Sequence, residues 1–239
     1  MTRNRLGLKR PDKTALVEEH NSYSYRDTNL RIEKFATALL GDAEDLAEER
    51  IALLLPASLD YVTALHAIWR AGGIAIPLNT ASTLSEIEHY LASTGVSRLV
   101  VGKPHRDRVE PLCEQLTIEM VSVEQRLPSN VTKLPIISSD RRAMVVFTSG
   151  TTSKPKGVVT THKAIEAQIT ALVTAWEWEH TDVIPLFLPL HHVHGIIAVL
   201  SCALWTGATV HLIPKLDIAR LCDQVASGTF NIFMAVPTI

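Results

Sequence analysis

Thr148-Ser-Gly-Thr-Thr-Ser-Lys-Pro-Lys-Gly157 is the most informative segment of the sequence, and it directly follows an apolar run at 143–147. Hydroxyl-bearing residues surround Gly150, and two lysines, Lys154 and Lys156, come after them. Polyphosphate binding requires backbone N–H groups that converge on one point, hydroxyl donors and at least one cation. The segment offers all of these, so it predicts a phosphate-binding loop after a buried strand.

Other motifs fit this loop less well. A Walker A loop would need a glycine where Pro155 stands, and a G-x-S-x-G elbow would need one where Phe147 stands. Ser153 and Lys156 match the S-x-x-K pattern of penicillin-binding enzymes, but Pro155 disfavours the helix that would place both on one face. A serine-acylating hydrolase and a plain polar loop between two strands therefore remain as alternatives.

The chain around the loop alternates short apolar runs with helical periods. The continuous apolar run at 51–55 is typical of a buried parallel strand. Thr83 and Glu86 have the spacing of a capping box, which predicts a helix that ends near Gly95. Further strands are predicted at 14–18, 23–25, 74–78, 99–101, 143–147, 158–161, 183–188, 209–213 and 230–236. Further helices are predicted between Ser24 and Gly41 and at 60–71, 107–116, 163–176, 197–205 and 216–227.

This rhythm predicts an α/β fold with mostly parallel sheets flanked by helices. Residues 124–140 contain Pro128, Pro135 and several serines, which predict a connection between two lobes. We expect lobe 1 at about 1–125, the connection at about 126–140 and lobe 2 at about 141–239. Ile239 directly follows a β-rich run, and native domains seldom end within a sheet. We therefore expect the chain to be an incomplete piece of a larger domain.

Composition excludes several classes of function. The chain has 239 residues with 23 Lys and Arg against 25 Asp and Glu, so it lacks the basic excess of a nucleic-acid-binding protein. Its apolar runs are too short to span a bilayer, and no apolar segment after Met1 predicts a secretory signal. Sparse cysteines without a CxxC pair favour a reducing compartment over a disulfide framework: Cys113, Cys202 and Cys222.

The T-S-G-T-T-x-K-P-K-G pattern after an apolar strand resembles the phosphate-loop signature of the adenylate-forming (AMP-binding) superfamily, which includes acyl-CoA synthetases. Further matches occur in the same order as in that superfamily: Tyr23-Ser-Tyr25-Arg-Asp, Arg70-Ala-Gly-Gly-Ile-Ala-Ile-Pro-Leu78, Leu188-Pro-Leu-His-His-Val-His-Gly195, Trp205-Thr-Gly-Ala208 and Val236-Pro-Thr238. The histidine-rich segment and the segment 233–239 are most similar to malonyl-CoA synthetases. The resemblance implies that residues 1–239 form the N-terminal part of the adenylate-forming large domain.

The resemblance implies an ATP-dependent acid–CoA ligase that forms an acyl-adenylate and then transfers the acyl group to CoA. It implies that the loop holds the β- and γ-phosphates of ATP with Mg²⁺, through Thr148, Ser149, Gly150, Thr151, Thr152, Ser153, Lys154, Lys156 and Gly157. It also implies that His192 acts at the carboxylate and the α-phosphate, and that His194 lines the acyl pocket.

Two features of these motifs leave alternatives open. His192 and His194 would share one face of an extended segment and could chelate a metal or be structural, but acids and cysteines at ligand spacing are missing. Ser153 stands where the family usually has glycine, and a positive φ there would cost about 1–2 kcal/mol.

The family's adenine segment, ribose-binding aspartate, hinge and catalytic lysine normally follow the last residue of this chain, so we expect the 239 residues alone to be inactive. A ligase for another fatty or aryl acid, or a non-catalytic remnant that binds a nucleotide or a partner protein, remains as an alternative. We expect a small-molecule carboxylate as the partner, no nucleic acid and no transmembrane segment. The expected location is the cytoplasm, with the mitochondrial matrix as the alternative.

Overall fold

The structure is a computed structural model that describes residues 9–124, 127–148 and 155–236. The strands of these ranges are β1 Thr14–Glu18, β2 Asn21–Ser24, β3 Arg50–Leu54, β4 Ile74–Pro77, β5 Arg98–Val101, β6 Glu119–Ser122, β7 Arg142–Thr148, β8 Lys156–Thr161, β9 Val183–Leu186 and β10 Thr209–Leu212. The α-helices are α1 Tyr25–Leu40, α2 Leu59–Ala71, α3 Leu84–Thr94, α4 Lys103–Leu116, α5 His162–Ala175, α6 Cys202–Thr206 and α7 Ile218–Ala226. A π-helix, His194–Ser201, runs directly into α6.

The strands form two mostly parallel sheets. The larger sheet has the order β6-β5-β3-β4-β7-β8 and is parallel up to β7, while β8 is antiparallel at its edge. The smaller sheet has the order β2-β1-β10-β9, in which only the β1–β2 hairpin is antiparallel. This arrangement confirms the predicted α/β fold with mostly parallel sheets.

The described residues form two compact units, one around each sheet. The first unit contains Arg31–Pro56 and the described part of Asp60–Ala164, with the six-stranded sheet. The second unit contains 9–30, Ala57–Leu59 and 165–236, with the four-stranded sheet. The two units are assembled from non-contiguous stretches of the chain and are not the predicted lobes. The division into lobes at 1–125 and 141–239, joined by 126–140, stays a prediction.

The core of the first unit lies between the parallel strands and the helices α3 and α4. It contains Ala52, Leu54, Ile76, Ile87, Leu91, Leu99, Val101, Val109 and Leu112, all buried. The capping box predicted for α3 is present, because the Thr83 hydroxyl accepts from the amide of Glu86 and the Glu86 carboxylate accepts from the amide of Thr83. Gly95, with φ +59°, ends the helix. These caps satisfy N–H and C=O groups that a helix end otherwise leaves unpaired.

Some predicted boundaries differ from the structure. The prediction omitted β6, whose four residues pair in parallel with β5. The helix predicted at 107–116 begins earlier, because Lys103 and Pro104 form its first turn. Proline is well suited to that turn, where its missing N–H has no intrahelical partner.

The predicted strand at 230–236 is wrong. The segment is hydrogen-bonded to the smaller sheet at Val183, whose amide donates to the side-chain oxygen of Asn231 at 2.7 Å. Val183 O accepts from the amides of Asn231 and Ile232 at 3.2 and 3.4 Å. Because the amide side chain of Asn231 replaces a backbone partner, no regular ladder continues from this point.

In the described part of the chain, no helix is long and apolar enough to cross a bilayer.

Candidate functional site

The two ends of the predicted phosphate loop lie side by side in the first unit. Thr148 is the last residue of β7, Lys156 is the first residue of β8, and the two are paired across the antiparallel ladder. Both side chains are exposed, and the Thr148 hydroxyl donates to Lys156 O at 3.5 Å. The remaining predicted loop residues lie outside the described residues: Ser149, Gly150, Thr151, Thr152, Ser153 and Lys154.

Gly157, which follows Lys156, packs closely against β7. A Cβ atom at this position would lie 2.8 Å from Cγ1 of Val145 and 3.6 Å from the ring of Phe147. Since real Cβ contacts are essentially never that short, a side chain here would force the Val145 side chain or β8 to shift. The glycine therefore allows β8 to lie close to Val145 directly beside Lys156.

Helix α3 contacts both ends of the loop. His89 Nε2 donates to Pro155 O at 3.1 Å, and the Tyr90 ring packs against the Phe147 ring at a centroid distance of 4.3 Å. The His89 and Phe147 rings approach edge to face at 6.3 Å. Sequence reasoning missed these contacts, because 66 residues separate His89 from Pro155 and no local pattern links them.

The predicted substrate histidines lie in the second unit, in a tight turn after β9. The amide of His192 donates to Pro189 O at 3.3 Å, and the amide of Ile196 donates to His192 O at 3.1 Å. A Cβ atom on Gly195 would lie 2.5 Å from Pro189 O, so the turn accepts only glycine there. The π-helix then begins at His194, and the buried Ser201 hydroxyl donates to Ile196 O at 2.7 Å. Wide helical turns of this kind occur frequently at functional sites.

The histidines of this turn differ in their surroundings. His191 is half-buried, and burial, with a smaller effect of His192, lowers its pKa to about 4, so its ring is neutral at pH 7. The His191 and His192 ring centroids are 4.1 Å apart. His192 and His194 are exposed. Within the described ranges, no group of three His, Cys, Asp or Glu residues could hold a metal ion. The described turn thus places the exposed imidazoles of His192 and His194 beside the half-buried ring of His191.

Comparisons with known proteins identify relatives over nearly the whole chain. A family model described as "AMP-binding enzyme" matches residues 5–239. The mitochondrial malonate–CoA ligase ACSF3 of Bos taurus is 35% identical over 242 residues, covering 95% of this chain and 41% of that protein. The Xenopus laevis ACSF3 protein is 36% identical over 244 residues, with coverage of 95% and 42%. The chain therefore spans less than half the length of these curated relatives.

A solved structure has the same fold. The crystal structure of ATP-bound MatB from Rhodopseudomonas palustris superposes with a TM-score of 0.85 at 25% sequence identity. The match covers 95% of this chain and 47% of the MatB chain.

Proposed function

Because the chain belongs to the AMP-binding enzyme family, we propose that it carries the ATP-phosphate site of an acid–CoA ligase. The observation that carries the proposal is the pairing of Thr148 with Lys156 at the carboxyl end of β7. In open α/β sheets, ligands bind outside the carboxyl ends of the parallel strands. β7 is parallel to β4, so its last residue lies at that edge.

The residues at this edge fit a polyphosphate. Lys156 supplies an exposed ammonium group and Thr148 an exposed hydroxyl. Both groups can donate hydrogen bonds to phosphate oxygens. The Thr148 hydroxyl is an oxygen ligand of the kind that Mg²⁺ accepts, and it would hold Mg²⁺ together with the phosphates. Bound there, Mg²⁺ would offset negative charge on the phosphate oxygens. The six loop residues from Ser149 to Lys154 are proposed as further phosphate contacts on the resemblance of the loop alone.

The proposed reaction has two steps. A carboxylate oxygen attacks the α-phosphorus of ATP, the bond to pyrophosphate breaks, and an acyl-adenylate forms. The thiol of CoA then attacks the acyl carbon, its proton is lost, and AMP leaves. Lys156 would stabilise the charge that develops on pyrophosphate, since donors fixed in advance are the most effective. His192 is proposed to contact the carboxylate and the α-phosphate, and His194 to line the acyl pocket.

Malonate is the proposed carboxylate, because the relatives at 35% and 36% identity are named malonate–CoA ligases. Their names also carry the word mitochondrial, and we therefore favour the mitochondrial matrix over the cytoplasm as the location. A ligase for another fatty or aryl acid is the second candidate within the same family. Incubation with a panel of acids would distinguish the two, with pyrophosphate release as the readout, in a protein that carries the remaining family segments.

We also propose that the 239 residues alone do not complete the reaction, because they match only 41% of the length of the Bos taurus ligase. The test is AMP formation from ATP, malonate and CoA by this chain. We expect none above the rate without protein, and steady turnover would contradict the proposal.

Titration calorimetry of the 239-residue chain with Mg²⁺-tripolyphosphate and with MgATP tests the phosphate site. Lys156→Met should raise Kd about tenfold or more, because a hydrogen bond to a charged group contributes about 1.5–3 kcal/mol. The matched control is Lys163→Met, an exposed lysine of the same unit that lies 3.8 Å from Asp140. Equal affinities of the wild-type chain and the Lys156 variant would refute the assignment.

A further inference from the structure

We propose that His89 is a positioning residue for Lys156, and this inference rests on the phosphate site proposed above. His89 does not reach the ligand. It acts through the peptide bond between Pro155 and Lys156, whose carbonyl oxygen accepts the hydrogen bond from its Nε2 atom at 3.1 Å.

The geometry of the peptide bond explains how one hydrogen bond reaches Lys156. The Pro155 carbonyl, the Lys156 amide and the Lys156 Cα atom lie in one plane. A donor that fixes the direction of the carbonyl therefore also fixes the direction in which Lys156 leaves the loop. A carbonyl oxygen only accepts, so Nε2 of His89 must carry the hydrogen.

His89 is presented from a rigid element. Helix α3 is capped at its start by Thr83 and Glu86 and ends at Gly95 in the left-handed conformation. Ile87 and Leu91 anchor it in the core of the first unit, where they are 0% and 1% exposed. A half-buried side chain on such a helix is a fixed reference point for a loop end.

Three further constraints act on the two ends of the loop. The proline ring fixes φ of Pro155, and Gly157, directly after Lys156, is paired with Phe147 in the β7–β8 ladder. Tyr90, next to His89, packs on Phe147 at the opposite end of the loop. To these contacts His89 adds a hydrogen bond that holds the orientation of the Pro155–Lys156 peptide plane.

The test combines two variants of the 239-residue chain. His89→Phe keeps an aromatic ring against Phe147 but removes the donor, whereas His89→Gln keeps an N–H donor. The matched control is His105→Phe, a half-buried histidine of the same unit on α4. Hydrogen exchange of the amides of Lys156 and Gly157 is measured without ligand, and Mg²⁺-tripolyphosphate affinity is measured by calorimetry.

We expect His89→Phe to speed exchange at Lys156 and Gly157 and to weaken Mg²⁺-tripolyphosphate binding about three- to tenfold, the effect of one lost hydrogen bond. His89→Gln should stay within about twofold of the wild-type affinity, and exchange in α3 should not change in either variant. If the His89 ring had only a structural role, the glutamine side chain would not restore Mg²⁺-tripolyphosphate binding.

The outcomes separate this inference from the proposed function. If the wild-type chain binds no Mg²⁺-tripolyphosphate, both are overturned. If the wild-type chain binds and Lys156→Met weakens binding, but His89→Phe binds like the wild type, only the role of His89 is overturned. Equal weakening by His89→Phe and His89→Gln would also overturn it, because the donor would then be irrelevant.

Discussion

Gly195→Ala should destabilise the second unit strongly, because the turn that carries the histidines leaves no space for a methyl group. The new Cβ would lie 2.5 Å from Pro189 O, 3.1 Å from Pro189 C and 3.2 Å from Leu188 O. All of these are backbone atoms, so no side-chain rotation relieves the clash. The turn must open, which would disturb the hydrogen bond from the amide of His192 to Pro189 O.

The magnitude follows from the type of contact. Overpacking in a well-packed region costs about 1–3 kcal/mol, and a clash with backbone should lie at the upper end, about 3 kcal/mol. For a chain of this size, 1 kcal/mol corresponds to about 2–4 °C, so Tm should fall by about 6–12 °C. Thermal unfolding followed by circular dichroism measures this change.

Gly228→Ala is the matched control in the same unit. Gly228 has φ +72°, but a methyl group there would meet no atom within 4 Å, so only backbone strain of about 1–2 kcal/mol is expected. The alanine variant of Gly195 therefore tests the steric clash, and the alanine variant of Gly228 tests the backbone strain of a positive φ. A Tm for Gly195→Ala equal to or above that of Gly228→Ala would contradict the steric explanation of the turn.

The remaining predictions concern buried charge and thiols. Burial, with a smaller effect of Arg70, lowers the pKa of His66 to about 3. The unfolded chain takes up the proton near its ordinary pKa, so unfolding becomes easier as pH falls from about 6.5 towards 3. Urea denaturation measures the free energy of unfolding at pH 7 and at pH 5. The decrease between the two pH values should be about 2 kcal/mol smaller in His66→Leu than in the wild type, and equal decreases would contradict this role of His66. Lys13 donates to Gly207 O at 2.6 Å and to the carbonyl of His180, so Lys13→Met should cost about 1–3 kcal/mol in thermal unfolding, while the exposed Lys9→Met should cost nothing measurable. Ellman's reagent should titrate only the exposed Cys222 rapidly in the native chain, because burial raises the pKa of the thiols of Cys113 and Cys202 to about 11 and about 12. A second thiol that reacts rapidly would contradict the burial of Cys113 and Cys202.

Local signals in the sequence predicted much of the fold. The capping pair Thr83 and Glu86 and the stop at Gly95 specify α3, because each acts through neighbours within one helical turn. The position of the predicted phosphate loop between β7 and β8 also followed from the apolar run before it. The family resemblance, based on the same loop, is confirmed.

Features that depend on distant contacts could not be predicted in this way. β6 has one buried residue, Val121, and exists as a strand because its backbone pairs with β5. The π-helix has the same apolar composition as a buried α-helix, so its sequence does not distinguish the two. The contact of His89 with Pro155 joins residues 66 positions apart, so nothing in the local sequence marks it.

The most direct test of the phosphate site is a ³¹P NMR titration of MgATP with the 239-residue chain. We expect the β- and γ-phosphorus resonances to shift and broaden more than the α resonance, and Lys156→Met to remove most of this effect. Resonances that do not respond to the wild-type chain, or that respond equally to the Lys156 variant, would contradict the assignment of this loop as the ATP-phosphate site.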